Sequence, residues 1–184
     1  SNNRAWTEKA KRFGYTVTTI AQPNPHPGAE YYLDAVSKAI SSRTRVLAFT
    51  HQTSTVGDVL PAKDLCHIAR ERGVTTLVDG ACTVGMLDLD LSEIQPDFYT
   101  GSAHKWPCGP KEVGVLYINT RAQASIHPTI ISAYPGAVGI SRTLEAMGQR
   151  DEPAIIGFGE AITFQGKIGR KAIEDRSRAL GQAL

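Results

Sequence analysis

Apolar residues recur at Ala5, Trp6, Ala10 and Phe13, a helical period that closes at Gly14. Residues 30–41 repeat the period, with Tyr32, Leu33, Val36, Ala39 and Ile40 on one side. Residues 61–72 form the best-marked helix. Pro61 suits its first position, Asp64 its first turn, and Arg70 and Arg72 its last, with Gly73 as the stop. Ala62, Leu65, Cys66 and Ala69 are its expected buried face. Strand patterns alternate with these helices. Residues 15–20 are rich in β-branched side chains and predict a strand. Residues 45–50 are mostly apolar along their length, as a buried strand is. Residues 74–79 predict the next strand. Strand, helix, strand over this length is a βαβ unit, so the two strands are expected to be parallel.

Further on, residues 90–95 predict one helical turn and residues 98–101 another strand. Residues 113–119 return after a short connection and are expected antiparallel to it. Beyond residue 121 the pattern weakens. Residues 126–131 read as a short strand, residues 134–140 as a glycine-rich loop, and residues 153–184 as two helical stretches interrupted by Gly166 and Gly169. Glu174 and Arg178 form an i,i+4 pair on a solvated face. The whole predicts an α/β fold, a mostly parallel sheet with flanking helices. The chain opens with a helix that no strand precedes and closes inside an uncapped one. That is the pattern expected of a segment of a longer polypeptide.

Composition narrows the function classes. The chain has 184 residues, 41% hydrophobic and 21% charged, which fits one globular domain with a real core. Its net charge of +2 is scattered and does not point to nucleic acid. No apolar run approaches the ~20 residues of a membrane span, and no signal-peptide pattern is present. Three cysteines without paired spacing point to a reducing compartment, the cytoplasm, and lack the spacing of a zinc site.

In open α/β sheets ligands sit beyond the carboxyl ends of the strands. His51, Thr53 and Ser54 follow one strand. Asp79 and Cys82 end the next, and Ser102, His104 and Lys105 follow the third. Parallel strands would bring all three sets to one edge. Lys105 reads either as a surface lysine in a turn or as a Schiff-base lysine activated by partial desolvation. Trp106, Pro107 and Pro110 brace its loop. Asp79 reads either as a strand-end aspartate turning with Gly80 or as a buried carboxylate facing a cationic ring nitrogen. Ser102 and His104 suit a plain turn or a phosphate site. Cys82 suits the core, or, among small neighbours, the approach of a flat ring.

The run Val78-Asp79-Gly80-Ala81, then residues 97–106 with His104-Lys105-Trp106, then Gly109-Pro110 and Gly114-Val115-Leu116-Tyr117, carries a resemblance. It resembles the class V aminotransferase-like, fold-type I pyridoxal-phosphate enzymes, and within them the isopenicillin N epimerase-like group. The resemblance implies that residues 1–184 are part of the large cofactor-binding domain, without its N-terminal segment and the C-terminal small domain. It implies pyridoxal 5'-phosphate as cofactor. Lys105 would be the Schiff-base lysine and the proton carrier at the substrate α-carbon. Asp79 would pair with the pyridine nitrogen, and Ser102 and His104 would hold the phosphate. His51 matches the histidine over the ring face. Thr53 matches a position near the phenolic oxygen of the cofactor. Cys82 stands where the family has Gln or His, and its thiol is a weaker hydrogen-bond donor. Gln149, in Gly148-Gln149-Arg150-Asp151, stands where a Thr reaches the phosphate of a neighbouring subunit, which implies a homodimer.

The implied reaction starts from an amino-acid substrate, with Lys105 as general base at its α-carbon. Epimerase or lyase chemistry ranks first. A class V aminotransferase or cysteine desulfurase-like enzyme is the alternative. Cys66, Cys82 and Cys108 do not lie in a mobile loop of the kind a desulfurase requires. A degenerate dimerisation or binding domain is the non-enzyme alternative, and it would predict loss of Lys105 or Asp79.

Overall fold

A computed structural model describes residues 2–131 and 139–183. Four strands make its sheet: β1 (Val46–Thr50), β2 (Thr75–Asp79), β3 (Phe98–Ser102) and β4 (Gly114–Ile118), in the spatial order β1-β2-β3-β4. β1, β2 and β3 are parallel and β4 is antiparallel, as the connection lengths predict. The register pairs Ala48 with Leu77 and Asp79 with Thr100. This puts Ala48, Leu77, Asp79, Thr100 and Ser102 on one face, since side chains alternate along a strand.

The other face carries the core. α2 (Ala29–Ala39) and α3 (Ala62–Glu71) cover it. Tyr32 and Val36 of α2 pack with Leu65 of α3 and Leu60, while Cys66 of α3 packs with Val78 and Tyr99. Each large side chain so buried contributes about 1.5–3 kcal/mol. α3 stops where Gly73 N–H and Val74 N–H return to Arg70 O and Ala69 O. α1 (Asn2–Phe13) serves the opposite face, where its Ala5 and Trp6 share a cavity with Ala48, Leu77 and Thr100.

The remaining elements are α4 (Leu91–Ile94), a 3-10 helix (Thr120–Ser125), α5 (Ser141–Leu144), α6 (Glu152–Ile168) and α7 (Arg170–Gln182). Asp151 caps α6 by accepting Ala154 N–H at 3.1 Å. Among the described residues, no helix is long and apolar enough to cross a membrane.

Residues 15–20 form no strand and pair with none, and Tyr15 Oη donates to Trp6 O instead. β-branched propensity makes no strand without a partner ladder. Residues 126–131 likewise form no strand and follow the 3-10 helix. β1 is not a buried strand. It is an edge of the sheet, and Val46 is 43% exposed. Gly166 lies inside α6, and only Gly169 breaks the C-terminal helices. The loop expected over residues 134–140 falls mostly outside the described residues. The Glu174–Arg178 pair forms at 2.7 Å, yet Glu174 also accepts Asp88 N–H at 2.8 Å. It therefore ties α7 to the segment after β2, and those hydrogen bonds hold its carboxyl below the usual range.

Candidate active site

The carboxyl ends of β1, β2 and β3 lie side by side, and backbone hydrogen bonds lock their loops together. His51 N–H donates to Asp79 O at 2.9 Å, and Gly80 N–H donates to Thr100 O at 2.9 Å. Thr50 Oγ1 donates to Gln52 O at 2.8 Å and holds the start of the first loop. Asp79 is half-buried rather than buried; its Oδ1 accepts Ala81 N–H at 3.0 Å. With Ser102, Ala81, Ala48, Trp6 and Lys9 it lines a cavity of about 540 Å³ on the open face of the sheet.

Lys105 is exposed, at the apex of the turn between β3 and β4, rather than partly desolvated as expected. The turn itself is rigidly built. Ala103 N–H donates to Val113 O, Gly109 N–H to Ala103 O and Cys108 N–H to Lys105 O, all at 2.8–3.0 Å. Pro107 is fully buried against Gly85. A Cβ on Gly85 would lie 2.6 Å from Pro107 N, and its φ of 82° is itself a left-handed conformation. The turn after β2 and the turn after β3 therefore touch backbone to ring.

Gln165 of α6 clamps both. Its Nε2 donates to Gly85 O at 3.2 Å and to Trp106 O at 2.6 Å. Phe158 of the same helix packs at Gly109, and Pro110 at Gly157. The sequence predicts both the proline brace and a helix over these residues, but not that the helix underlies the turn. The polar Gln165 among apolar neighbours Ile162, Phe164 and Ile168 is the signal that marks it.

Cys82 is half-buried, not core, and Lys105 Nζ donates to its Sγ at 3.3 Å. Thr53 is buried; its Oγ1 accepts Asp58 N–H at 3.0 Å, which closes the 53–58 loop and leaves the hydroxyl proton for another acceptor. Ser54 is exposed. Ser102 is half-buried at the end of β3, and His104 is exposed beside Lys105. Gln149 is exposed on the segment before α6 and does not line the cavity. His51 is buried at 6% exposure, and its Nδ1 lies 2.8 Å from Tyr99 Oη. Burial pushes its pKa down to about 4, so the imidazole is neutral at pH 7. The strand ends thus bring Asp79 and Ser102 to one cavity and join Lys105 to Cys82, while His51 lines a separate cavity with Leu87 and Glu174. Gln149 lines neither cavity.

Comparison with known proteins shows the family. The Aminotransferase class-V family matches residues 1–184. The chain is 40% identical to isopenicillin N epimerase of Streptomyces clavuligerus over 95% of its length and 48% of that protein. It is 35% identical to isopenicillin N epimerase of Amycolatopsis lactamdurans, with the same coverage of each. It also superposes, with a TM-score of 0.78 and 25% identity, on a variant of the protein C-DES with glycine covalently linked to the PLP cofactor. That match covers 98% of this chain and 49% of the other. The chain spans about half the length of the curated relatives it matches.

Proposed function

The chain belongs to the aminotransferase class-V family, and on that premise we propose that it is part of a pyridoxal-phosphate-dependent enzyme acting at the α-carbon of an amino acid, as an epimerase or a lyase. The observation that carries this reading is the locked pair of turns that presents Asp79 and Lys105 from adjacent parallel strands. The donor set fits the cofactor. Asp79 offers a carboxylate to an open cavity whose small side chains, Ala48 and Ala81, leave room for a flat ring. Ser102 adds a hydroxyl to the same lining, and Lys105 holds a primary amine in the open.

Bound pyridoxal phosphate supplies an electron sink that acidifies the α-C–H bond of an amino acid. Asp79 would keep the ring nitrogen protonated, since an anion there favours the cationic form. Lys105 would attach the cofactor through Nζ and, once released, move the proton at the α-carbon. Ser102 and His104 would hold the phosphate. His51, Thr53 and Cys82 would flank the ring. Gln149, exposed before α6, would reach the phosphate site of a partner subunit.

We read residues 1–184 as part of the large domain of a homodimer. Exposed Ile156, Ile162, Phe164 and Ile168 on α6 are apolar surface for the rest of the protein or a partner subunit to cover. The free thiols of Cys66, Cys82 and Cys108 suit the cytoplasm. The epimerase reading is supported by the two relatives of that name.

Incubating the full-length, cofactor-loaded protein with single L-amino acids in deuterated water tests the reaction class. Epimerisation predicts α-deuterated product of both hands. Elimination predicts release of the side-chain substituent with ammonia and a keto acid. Exchange with neither outcome, and transfer of the amino group to a keto acid, would favour the aminotransferase alternative.

A further inference from the structure

Behind the Asp79–Gly80 turn runs a buried chain of four groups. His51 is 6% exposed, Tyr99 1% and Thr83 0%. His51 Nδ1 lies 2.8 Å from Tyr99 Oη, Tyr99 Oη lies 2.5 Å from Thr83 Oγ1, and Thr83 Oγ1 donates to Gly80 O at 3.1 Å. The rings of His51 and Tyr99 meet edge to face, centroids 5.9 Å apart. Backbone approach keeps the chain tight. A Cβ on Gly80 would fall 2.0 Å from Tyr99 Cε1.

Counting protons sets the direction of this chain. Gly80 O accepts Thr83 N–H, Val84 N–H and the Thr83 hydroxyl, and a carbonyl only accepts, so with that third contact kept Thr83 places its single hydroxyl proton on Gly80 O. Its oxygen must then accept from Tyr99. Tyr99 has one proton, and it is now spent. The remaining contact forms only if His51 Nδ1 carries the hydrogen.

We propose that Tyr99 and Thr83 are positioning residues that hold His51 as its Nδ1–H tautomer and leave Nε2 as the ring's one acceptor atom. This rests on the reading above that His51 flanks the cofactor. It deepens that reading, because it makes His51 an acceptor of a hydrogen bond or a proton at Nε2, and never a donor there while the ring is neutral.

The surroundings support the assignment. Burial raises the Tyr99 phenol against the lowering effect of its Thr83 hydrogen bond, with Asp79 adding to the rise, so Tyr99 keeps its proton. Burial likewise keeps His51 neutral. The charged groups that share a cavity with His51 are Asp88, Asp90, Glu93, Glu174 and Arg178. Glu174 is paired with Arg178, Asp88 with Arg170 and Glu93 with Lys63. The chain also ends on the carbonyl of the residue that follows Asp79, so the two groups proposed to meet the cofactor share one support.

The test is long-range ¹H–¹⁵N correlation on the full-length protein labelled with ¹⁵N-histidine, with and without pyridoxal phosphate, at neutral pH. His51 is assigned by the signals lost in His51→Gln. In the wild type, Nδ1 should resonate in the protonated range and Nε2 in the unprotonated range. Thr83→Val frees the Tyr99 proton to turn towards Nδ1, so the tautomer should invert to Nε2–H. Thr83→Ser should restore Nδ1–H. Tyr99→Phe removes the acceptor and should shift the population towards Nε2–H. Should Thr83→Val fail to fold, Tyr99→Phe decides alone. An Nε2–H wild type, or an Nδ1–H tautomer untouched in these variants, overturns the proposal; a merely structural role would lower stability and leave the tautomer in place. Cofactor attachment to Lys105 is scored separately. Its failure with Nδ1–H intact overturns the functional reading alone.

Discussion

Lys105 Nζ stands 3.3 Å from Cys82 Sγ, an amine and a thiol brought together from two turns 23 positions apart. The contact exists because Pro107 packs on Gly85 and Gln165 holds both turns from below. It predicts an ordered pattern of thiol chemistry. Cys82 and the exposed Cys108 should alkylate at neutral pH in the folded protein. Cys66, whose thiol burial pushes up to about 11, should react only after unfolding. Peptide mass mapping of a timed iodoacetamide reaction checks this. Early labelling of Cys66 would contradict the placement of α3.

Gln165 gives a second prediction. Gln165→Ala removes two hydrogen bonds and should cost about 1–2 kcal/mol. Gln165→Glu should cost more, because a carboxylate would face two carbonyls. Urea midpoints measure the order. Hydrogen exchange should speed up at residues 103–109 in both variants, since this turn loses its clamp, and should not change across β1.

Gly80→Ala is predicted to be among the most damaging single changes in this chain. The new methyl group would lie 2.0 Å from Tyr99 Cε1 and 2.6 Å from Thr100 O. Tyr99 is fully buried and cannot step aside. A loss of about 3 kcal/mol follows from overpacking on this scale, read as a fall in the thermal midpoint. A variant as stable as wild type would show that the Tyr99 ring does not lie against this turn.

His51 makes stability depend on pH. Its folded pKa, about 4, lies below the ordinary 6.5. Between those values the unfolded chain binds the proton and the folded chain does not, so stability falls as pH drops from 6.5 towards 4. The full effect is about 3 kcal/mol. Above 6.5 this group adds no slope. Denaturant titrations of wild type and His51→Asn across that window should diverge in slope, the variant being flatter.

Much of this was legible in the sequence where the determinants are local. The apolar face and glycine stop of residues 61–72 are local signals, and the helix forms as α3 (Ala62–Glu71) with Pro61 at its N-cap rather than its first position. Parallel β1 and β2 followed from the helix between them, and antiparallel β4 from a short connection. Residues 15–20 misled because a strand needs a partner, and no local signal says whether one is there. The 3-10 helix over Thr120–Ser125 did carry a signal, Asn119, whose Oδ1 accepts Arg121 N–H, but one cap is a thin one. At the site, the residues that end strands were readable, since topology alone sends them to one edge. Tyr99, Thr83 and Gln165 were not, because their partners lie 16–80 positions away. Asp97 is similar: it accepts from Thr76 N, Thr76 Oγ1 and Arg121 Nε, and so staples β2 to β3 from the end opposite the site.

The most direct test of the central claim is covalent. The full-length protein is loaded with pyridoxal phosphate, reduced with borohydride, digested and mapped by mass spectrometry. The account predicts the cofactor's mass on the peptide holding Lys105, a visible absorption band before reduction that shifts on adding an amino acid, and neither in Lys105→Ala. A cofactor mass on another lysine, or a full band in Lys105→Ala, would contradict it.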